Sequence, residues 1–236
     1  MEQIVVCIPA YNPTRSLILL LEQLKEYPFR RIVIVNDGSD AKSDEVFEKA
    51  ESFNNVDVLH LKQNGGKGKA VKTALQYIIE KIPSIRGVLT CGADGQHHIE
   101  DIIKVATTSR IFLDGIVLGM RNFESEHISV LHRIHSQVMA VLFNFLFKKR
   151  IVDFQSGLRF LPSHQLSWIK SSPGDSFRFD TNVLIEAISR EVPIYELPIG
   201  KVRMTQSSFL QYDEVNHPKL ISEQLLQAYL KKRETL

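Results

Sequence analysis

Two cysteines in 236 residues are too few for a disulfide framework. Cys7 and Cys91 both fall in apolar, strand-like runs, so buried free thiols are expected, in keeping with a reducing compartment. Charge of one sign is also lacking. Lys and Arg number 29 against 27 Asp and Glu, a formal net charge of +2, too little to suggest a nucleic-acid partner. No long apolar run occurs: the nearest to one, Val138 to Phe147, is interrupted by Asn144. Ten helical residues cover about 15 Å, half of a ~30 Å hydrocarbon core, so this stretch cannot span a membrane. Met1-Glu2-Gln3 leads straight into a strand without a basic or apolar leader, so no signal peptide is expected, and a cytoplasmic location is. Internal repeats, low-complexity segments and linkers are missing as well.

What remains has the balance of an ordinary globular protein, 44% hydrophobic and 24% charged. The length suffices to bury a full core as one domain over 1–236, with a regular half to about residue 120 and a less regular half beyond it. Short apolar runs at Ile4–Ile8, Ile32–Val35, Val56–Leu61, Gly87–Thr90 and Gly115–Gly119 read as buried strands. Between them the spacing predicts helices near 17–24, 43–52, 70–81 and 99–109. Strand and helix thus alternate over the first 120 residues, which predicts a doubly wound, mostly parallel α/β sheet. The second half is less regular, with helices expected at 132–148, 180–190 and 218–232 and a strand at Ile194–Ile199.

In such a sheet the ligand site lies beyond the C-terminal strand ends. Three polar clusters fall there: Pro9–Asn12, Asn36–Asp40 and Gly92–His98. Each alone is a common turn, but three on one edge favour a ligand site. Tyr11 could cover a base face or simply pack. Asp37 could accept hydrogen bonds from a base or ribose. The Gly65–Lys69 loop opens a helix, so its amides and lysines could meet phosphate, although no Walker A pattern is present. A carboxylate at a strand end, as Asp94 is, suits a divalent cation held against a phosphate. His97 and His98 lack a spaced partner for zinc.

Four segments in order, Ile-Pro-Ala-Tyr-Asn at 8–12, Val-Asn-Asp-Gly-Ser at 35–39, Gly-Lys-Gly-Lys-Ala at 66–70 and Ala-Asp-Gly-Gln-His at 93–97, carry a resemblance to family-2 glycosyltransferases of the GT-A fold. The match is to the branch of dolichyl-phosphate mannose synthase and its bacterial polyprenyl-phosphate relatives. Leu-Gly-Met-Arg at 118–121, Asp-Phe-Gln-Ser-Gly-Leu-Arg at 153–159 and Phe-Arg-Phe-Asp at 177–180 extend it to about residue 210. The resemblance implies inverting transfer from a nucleotide-diphosphate sugar to a polyprenyl phosphate or a glycan. It implies that Pro9, Tyr11, Asn12, Asp37, Lys67 and Ala93 line the nucleotide-sugar pocket. Asp94 and Gln96 would hold Mg²⁺ or Mn²⁺ on the donor diphosphate. Arg121 and Arg133 would stand near donor and acceptor phosphates, Arg133 being equally readable as a surface ion pair. Asp153, Gln155, Ser156 and Gly157 would shape the acceptor side, and Asp180 would be either the general base or a helix N-cap.

Two departures from the family pattern stand out: Pro13 follows Tyr11-Asn12, and Gly92 replaces the first aspartate of Asp-x-Asp. With Asp94 and Gln96 kept, weaker ion binding is expected rather than none. A catalytically silent relative that binds nucleotide or a partner is the rival reading. Finally, Met139, Leu142, Phe143, Leu146 and Phe147 form an apolar stripe ahead of Lys148-Lys149-Arg150. The stripe either packs as core or lies peripherally on an anionic membrane.

Overall fold

The computed structural model describes residues 1–122, 130–201 and 222–230, with backbone alone at 122, 130–136 and 201. Strand β1 (Ile4–Ala10) explains the architecture. Its residues are buried on both faces, and the two-residue period of a strand sends them into different cores. Val5 and Cys7 face one layer; Ile4, Val6 and Ile8 face the other. The second layer is closed by α1 (Arg15–Leu24), α2 (Asp44–Glu51) and α4 (Ile99–Thr108). The first is closed by α3 (Lys67–Lys81), α5 (Val130–Phe147), α6 (Leu166–Ser171), α7 (Arg178–Ser189) and Leu225 of a helix at 222–230.

The other strands are β2 (Arg31–Asn36), β3 (Val56–His60), β4 (Gly87–Thr90), β5 (Ile116–Asn122), β6 (Arg159–Pro162) and β7 (Ile194–Lys201). They form one sheet in the order β3-β2-β1-β4-β6-β5-β7. β6 runs antiparallel to both of its neighbours, and the other pairings are parallel. The order reverses between β1 and β4, so a crevice is expected at their C-terminal ends.

Pro9 lies within β1, paired in register with Val35, whereas the sequence reading ends the strand at Ile8. The geometry shows why this proline is tolerated. Cys7 accepts its hydrogen bond from Cys91 on the β4 side, while Ala10 accepts from Asp37 on the β2 side. Pro9 shares the parity of Cys7, and β4 has already ended there, so no ladder donor is lost.

Further elements depart from expectation. Helix α3 starts at Lys67 rather than Ala70, which brings Lys67-Gly68-Lys69 into its first turn. β6 and α6 were not anticipated. Asp180 is not an N-cap: Phe177 holds that position, and Asp180 stands in the first turn of α7. The stripe on α5 is core, because Phe143 and Phe147 are buried and Met139, Leu142 and Leu146 pack against the same cluster. Its membrane reading is therefore withdrawn for those five residues. Among the described residues, no helix is long and apolar enough to cross a membrane. Both cysteines are buried free thiols, as expected, and burial pushes the Cys7 thiol up to about 12.

The inward and outward sides of α5 give a direct test of this packing. Phe143 is fully buried and stacks on Phe154 with ring centroids 4.9 Å apart, whereas Phe145 is 79% exposed. Phe143→Ala is expected to cost ~3–5 kcal/mol, and Phe145→Ala to stay within ~0.5 kcal/mol of the parent. Urea denaturation of the two variants measures the difference.

Candidate active site

Around the C-terminal ends of β1, β2 and β4 lies a cavity of about 320 Å³. Pro9, Tyr11, Asn12, Asp37, Lys67, Ala93, Asp94 and Gln96 all line it, so eight of the expected residues come together.

The first wall is the turn after β1. Asn12 has a positive φ of 48°, a conformation that asparagine tolerates better than most residues. Its backbone N–H donates to Ser39 Oγ at 2.9 Å. Its side-chain oxygen accepts from the Asp40 N–H at 2.8 Å while its amide donates to Asp40 Oδ2 at 3.0 Å. The turns after β1 and β2 are thereby joined, and the Asn12 side chain serves as the joint. Tyr11, 41% exposed, presents its ring at the rim.

Asp37 forms the second wall and is 3% exposed. Its two oxygens accept from the N–H groups of Gly65 and Gly66, each at 2.8 Å. The Lys69 N–H in turn donates to the Asp175 carbonyl at 2.9 Å. The amides of Gly65, Gly66 and Lys69 are thus spent on protein acceptors, and the loop does not offer them to a phosphate as the sequence suggests. Gly66 is required where it stands: φ is +89°, and a Cβ would lie 2.6 Å from the Asp175 carbonyl oxygen.

Lys67 brings charge to the cavity. Its ammonium donates to Asp180 Oδ2 and rests against Gly157, where a Cβ would sit 2.8 Å from Nζ. On the other side of Asp180 lies Arg159, 2% exposed. Its guanidinium donates to the carbonyls of Phe154 (2.8 Å), Ser156 (2.7 Å) and Asp180 (2.7 Å), with Nη1 3.8 Å from Asp180 Oδ1. Burial opposes charge on Asp180, but Lys67 and Arg159 outweigh it and hold the carboxyl below the usual carboxylate range. Arg159 has no role in the sequence reading, although one signal exists: a lone arginine amid Leu158, Phe160 and Leu161 points to a buried, paired charge.

The third wall follows β4. Asp94 Oδ1 accepts from the Gln96 N–H at 3.2 Å. A Cβ on Gly92 would lie 3.0 Å from Asp94 Oδ1 and 3.2 Å from Gln96 Nε2, so both side chains converge on the space above this glycine. Beneath it, His97 is 6% exposed and its Nδ1 accepts from the Gly92 N–H at 3.4 Å, which leaves the proton on Nε2. Burial pulls the His97 pKa down to about 4 against the pull of Asp94, so the ring is neutral at pH 7. Ser16 Oγ donates to the Ala93 carbonyl at 3.1 Å and ties this turn to α1.

Arg121 does not line the cavity. Its Nε and Nη2 grip Asp153 at 2.7 and 2.8 Å, a fork that closes the end of β5 onto the 153–157 segment. The Arg133 side chain lies outside the described residues. Gly157 lines the cavity, and Ser156 is fully buried beside Arg159.

The oxygens of Asp94 and Gln96 are hard donors, and one carboxylate beside donor phosphates suffices for Mg²⁺ or Mn²⁺. Among the described residues no set of three His, Cys, Asp or Glu side chains could enclose an ion without such a ligand. The donor set therefore fits an ion shared with a diphosphate.

A doubly wound sheet with an acidic turn at its switch-point crevice defines an α/β protein of the GT-A glycosyltransferase fold. The chain belongs to glycosyl transferase family 2, whose profile matches residues 5–167. A dolichyl-phosphate beta-glucosyltransferase of Trichomonas vaginalis is 26% identical over 221 residues, covering 81% of this chain and 63% of that protein. The chain thus spans a little under two-thirds of that relative's length. A UDP-N-acetylglucosamine–dolichyl-phosphate N-acetylglucosaminyltransferase of Methanococcus voltae is 28% identical over 217 residues, 84% of this chain and 85% of that one. Glucosyl-3-phosphoglycerate synthase from Mycobacterium tuberculosis, crystallised with Mn²⁺, UDP and phosphoglyceric acid, superposes with a TM-score of 0.70 at 15% identity, covering 96% of this chain and 78% of that one.

The ion pair under the cavity has a pH signature. The folded pKa of Asp180 lies below its unfolded value of ~3.9, so its ionised form stabilises the fold at neutral pH. That contribution is lost only as pH falls below about 4 through the folded value. Lys67→Met leaves the carboxylate with Arg159 alone and is expected to cost roughly 2–3 kcal/mol at pH 7, at or below the ~3–5 kcal/mol of a fully buried pair because the Lys67 side chain is partly exposed. The deficit should shrink below about pH 4. Chemical denaturation of both proteins from pH 3 to 7 measures it.

Proposed function

We propose that this protein transfers a sugar, with inversion, from a nucleotide-diphosphate sugar to a polyprenyl-phosphate or glycan acceptor. The observation that carries the proposal is the meeting of Tyr11, Asp37, Lys67, Asp94 and Gln96 around one crevice at the switch point of the sheet. Tyr11 and the Asn12–Asp40 joint receive the base, with Asp37 holding the neighbouring turn in place. Asp94 and Gln96 would hold Mg²⁺ or Mn²⁺ beside the diphosphate. When bound, that ion offsets the negative charge that grows on the departing nucleoside diphosphate.

An acceptor oxygen then attacks the anomeric carbon from the face opposite the leaving group, forming one C–O bond as the other breaks. The state of Asp180 bears on which oxygen this is. A carboxylate held between Lys67 and Arg159, below the usual carboxylate range, is a poor match for removing a hydroxyl proton at pH 7. A phosphate oxygen, already ionised, needs no base. This favours the polyprenyl phosphate over a glycan hydroxyl, and the dolichyl-phosphate chemistry named for two relatives agrees with it. Asp180 is then a partner that keeps Lys67 at the cavity rather than a base.

Thermal shift with UDP-, GDP- and dTDP-sugars, with and without Mn²⁺, followed by transfer to a short polyprenyl phosphate, tests the reading. One donor should raise the melting temperature in a Mn²⁺-dependent way and be consumed. Asp94→Asn should reduce the Mn²⁺-dependent gain in nucleotide affinity by ~10-fold or more. Binding without turnover of any donor would establish the silent relative instead.

The space above Gly92 gives a second test. A methyl group there presses on Asp94 and Gln96, so Gly92→Ala is expected to weaken Mn²⁺-dependent UDP binding severalfold, by roughly 1 kcal/mol. Isothermal titration with UDP, with and without Mn²⁺, resolves it.

A further inference from the structure

Apart from the buried His97 ring, two aromatic side chains among the described residues line the cavity. Tyr11 follows β1, and Phe177 stands at the start of α7. They are 41% and 40% exposed. The base accounts for Tyr11 alone, and local structure gives no reason for a phenylalanine at 177. That position is the N-cap of α7, which favours Ser, Thr, Asp or Asn, and a phenyl ring cannot accept from the helix N–H groups. Nor is Phe177 core. Phe179, two residues on, is 2% exposed and joins the layer closed by α3, while Phe177 turns to the cavity. An aromatic residue that breaks the local rule and stays half exposed at a crevice marks a place of contact.

The backbone that carries the ring is fixed from several sides. The Lys69 N–H donates to the Asp175 carbonyl and Lys72 Nζ to Asp175 Oδ1, each at 2.9 Å. Asn182 Nδ2 donates to the Pro173 carbonyl at 2.9 Å, and Ser172 Oγ to Glu186 Oε2 at 2.6 Å. Gly174 makes the turn between them with a φ of +91°, where a Cβ would lie 3.1 Å from the Phe179 nitrogen. Asp180, which holds Lys67, follows Phe177 by three residues, so ring and ammonium belong to one wall.

A phenyl ring offers no hydrogen bond, only an apolar face that carries negative charge density. A nucleotide sugar has two groups that suit such a face, one at each end of its diphosphate. One is the base. The other is the side of the pyranose ring from which C–H groups project, their hydrogens weakly positive. With Tyr11 at the base, Phe177 is left for the sugar.

We propose that Phe177 is the platform on which the donor's hexopyranose ring stacks, so that the cavity holds a nucleotide sugar more tightly than the nucleoside diphosphate left after transfer. The proposal rests on the nucleotide-sugar reading of the cavity and names the residue that receives the transferred group.

Titration calorimetry with Mn²⁺, and without acceptor, compares UDP-glucose, GDP-mannose and dTDP-glucose with UDP, GDP and dTDP. The parent should bind one of the nucleotide sugars. Phe177→Ala should weaken that nucleotide sugar about tenfold and leave its nucleoside diphosphate within about twofold. Phe177→Trp keeps an aromatic face and should stay within about threefold of the parent. Phe177→Leu is apolar but has no ring, and it should fall with Phe177→Ala. Melting temperatures near that of the parent identify the variants as folded. Equal weakening of sugar nucleotide and diphosphate, or no change in either, overturns the proposal. So does a Phe177→Leu variant that matches the parent, since apolar area alone would then suffice. Donor binding left intact by Phe177→Ala, with a raised KM for a short polyprenyl phosphate, also overturns it and gives the ring to the acceptor's chain. A parent that binds none of these nucleotides sinks the nucleotide-sugar reading and this proposal with it. A parent that binds a nucleotide sugar no better than Phe177→Ala sinks the platform alone.

Discussion

A guanidinium buried to 2% exposure is the constraint on which the site depends. Arg159 cannot sit in the core unpaired, because an isolated buried charge costs several kcal/mol. Three carbonyls and the Asp180 carboxylate answer it. Asp180, buried in its turn, takes Lys67 as its second cation. Lys67 opens α3, and the loop before α3 is fastened through Gly65 and Gly66 to Asp37 at the end of β2. A continuous series of polar contacts therefore runs from the antiparallel strand β6, through Asp180 and Lys67, to Asp37 at the end of β2. One network thus joins β6, the first turn of α7, the start of α3 and the end of β2.

Much of this was legible in the residues, for physical reasons. β4 falls at Gly87–Thr90 as read, because a short apolar run that ends at Asp94 has little else to be. The clusters after β1, β2 and β4 meet at one edge because parallel strands share their C-terminal ends. β6 was not legible. Its four residues follow a turn motif and carry no period of their own, and they become a strand only through pairing with β4 and β5. Arg159 went unassigned with it, since a buried ion pair is a property of tertiary neighbours.

Two site residues had their contacts misread, Asp37 within the cavity and Arg121 outside its lining. Asp37 and the glycine loop were expected as separate ligand contacts, but they bind each other. Arg121 was expected at phosphate and grips Asp153. In each case sequence spacing places a polar group near the strand ends and is silent about which partner it meets first. Helix α5 shows the same limit in apolar form. Its period picks out the stripe that proves to be core, but an apolar stripe alone cannot say whether protein or lipid covers it.

Pro9 carries a consequence of its own. β1 outruns β4 by about three residues, and the proline occupies the stretch where a neighbour is missing. Having no N–H, it leaves no bare donor there to recruit another strand or trap water. Pro9 and Gly92 accordingly face the cavity across a stretch where β1 and β4 are no longer paired. A ligand entering it displaces solvent and breaks no ladder.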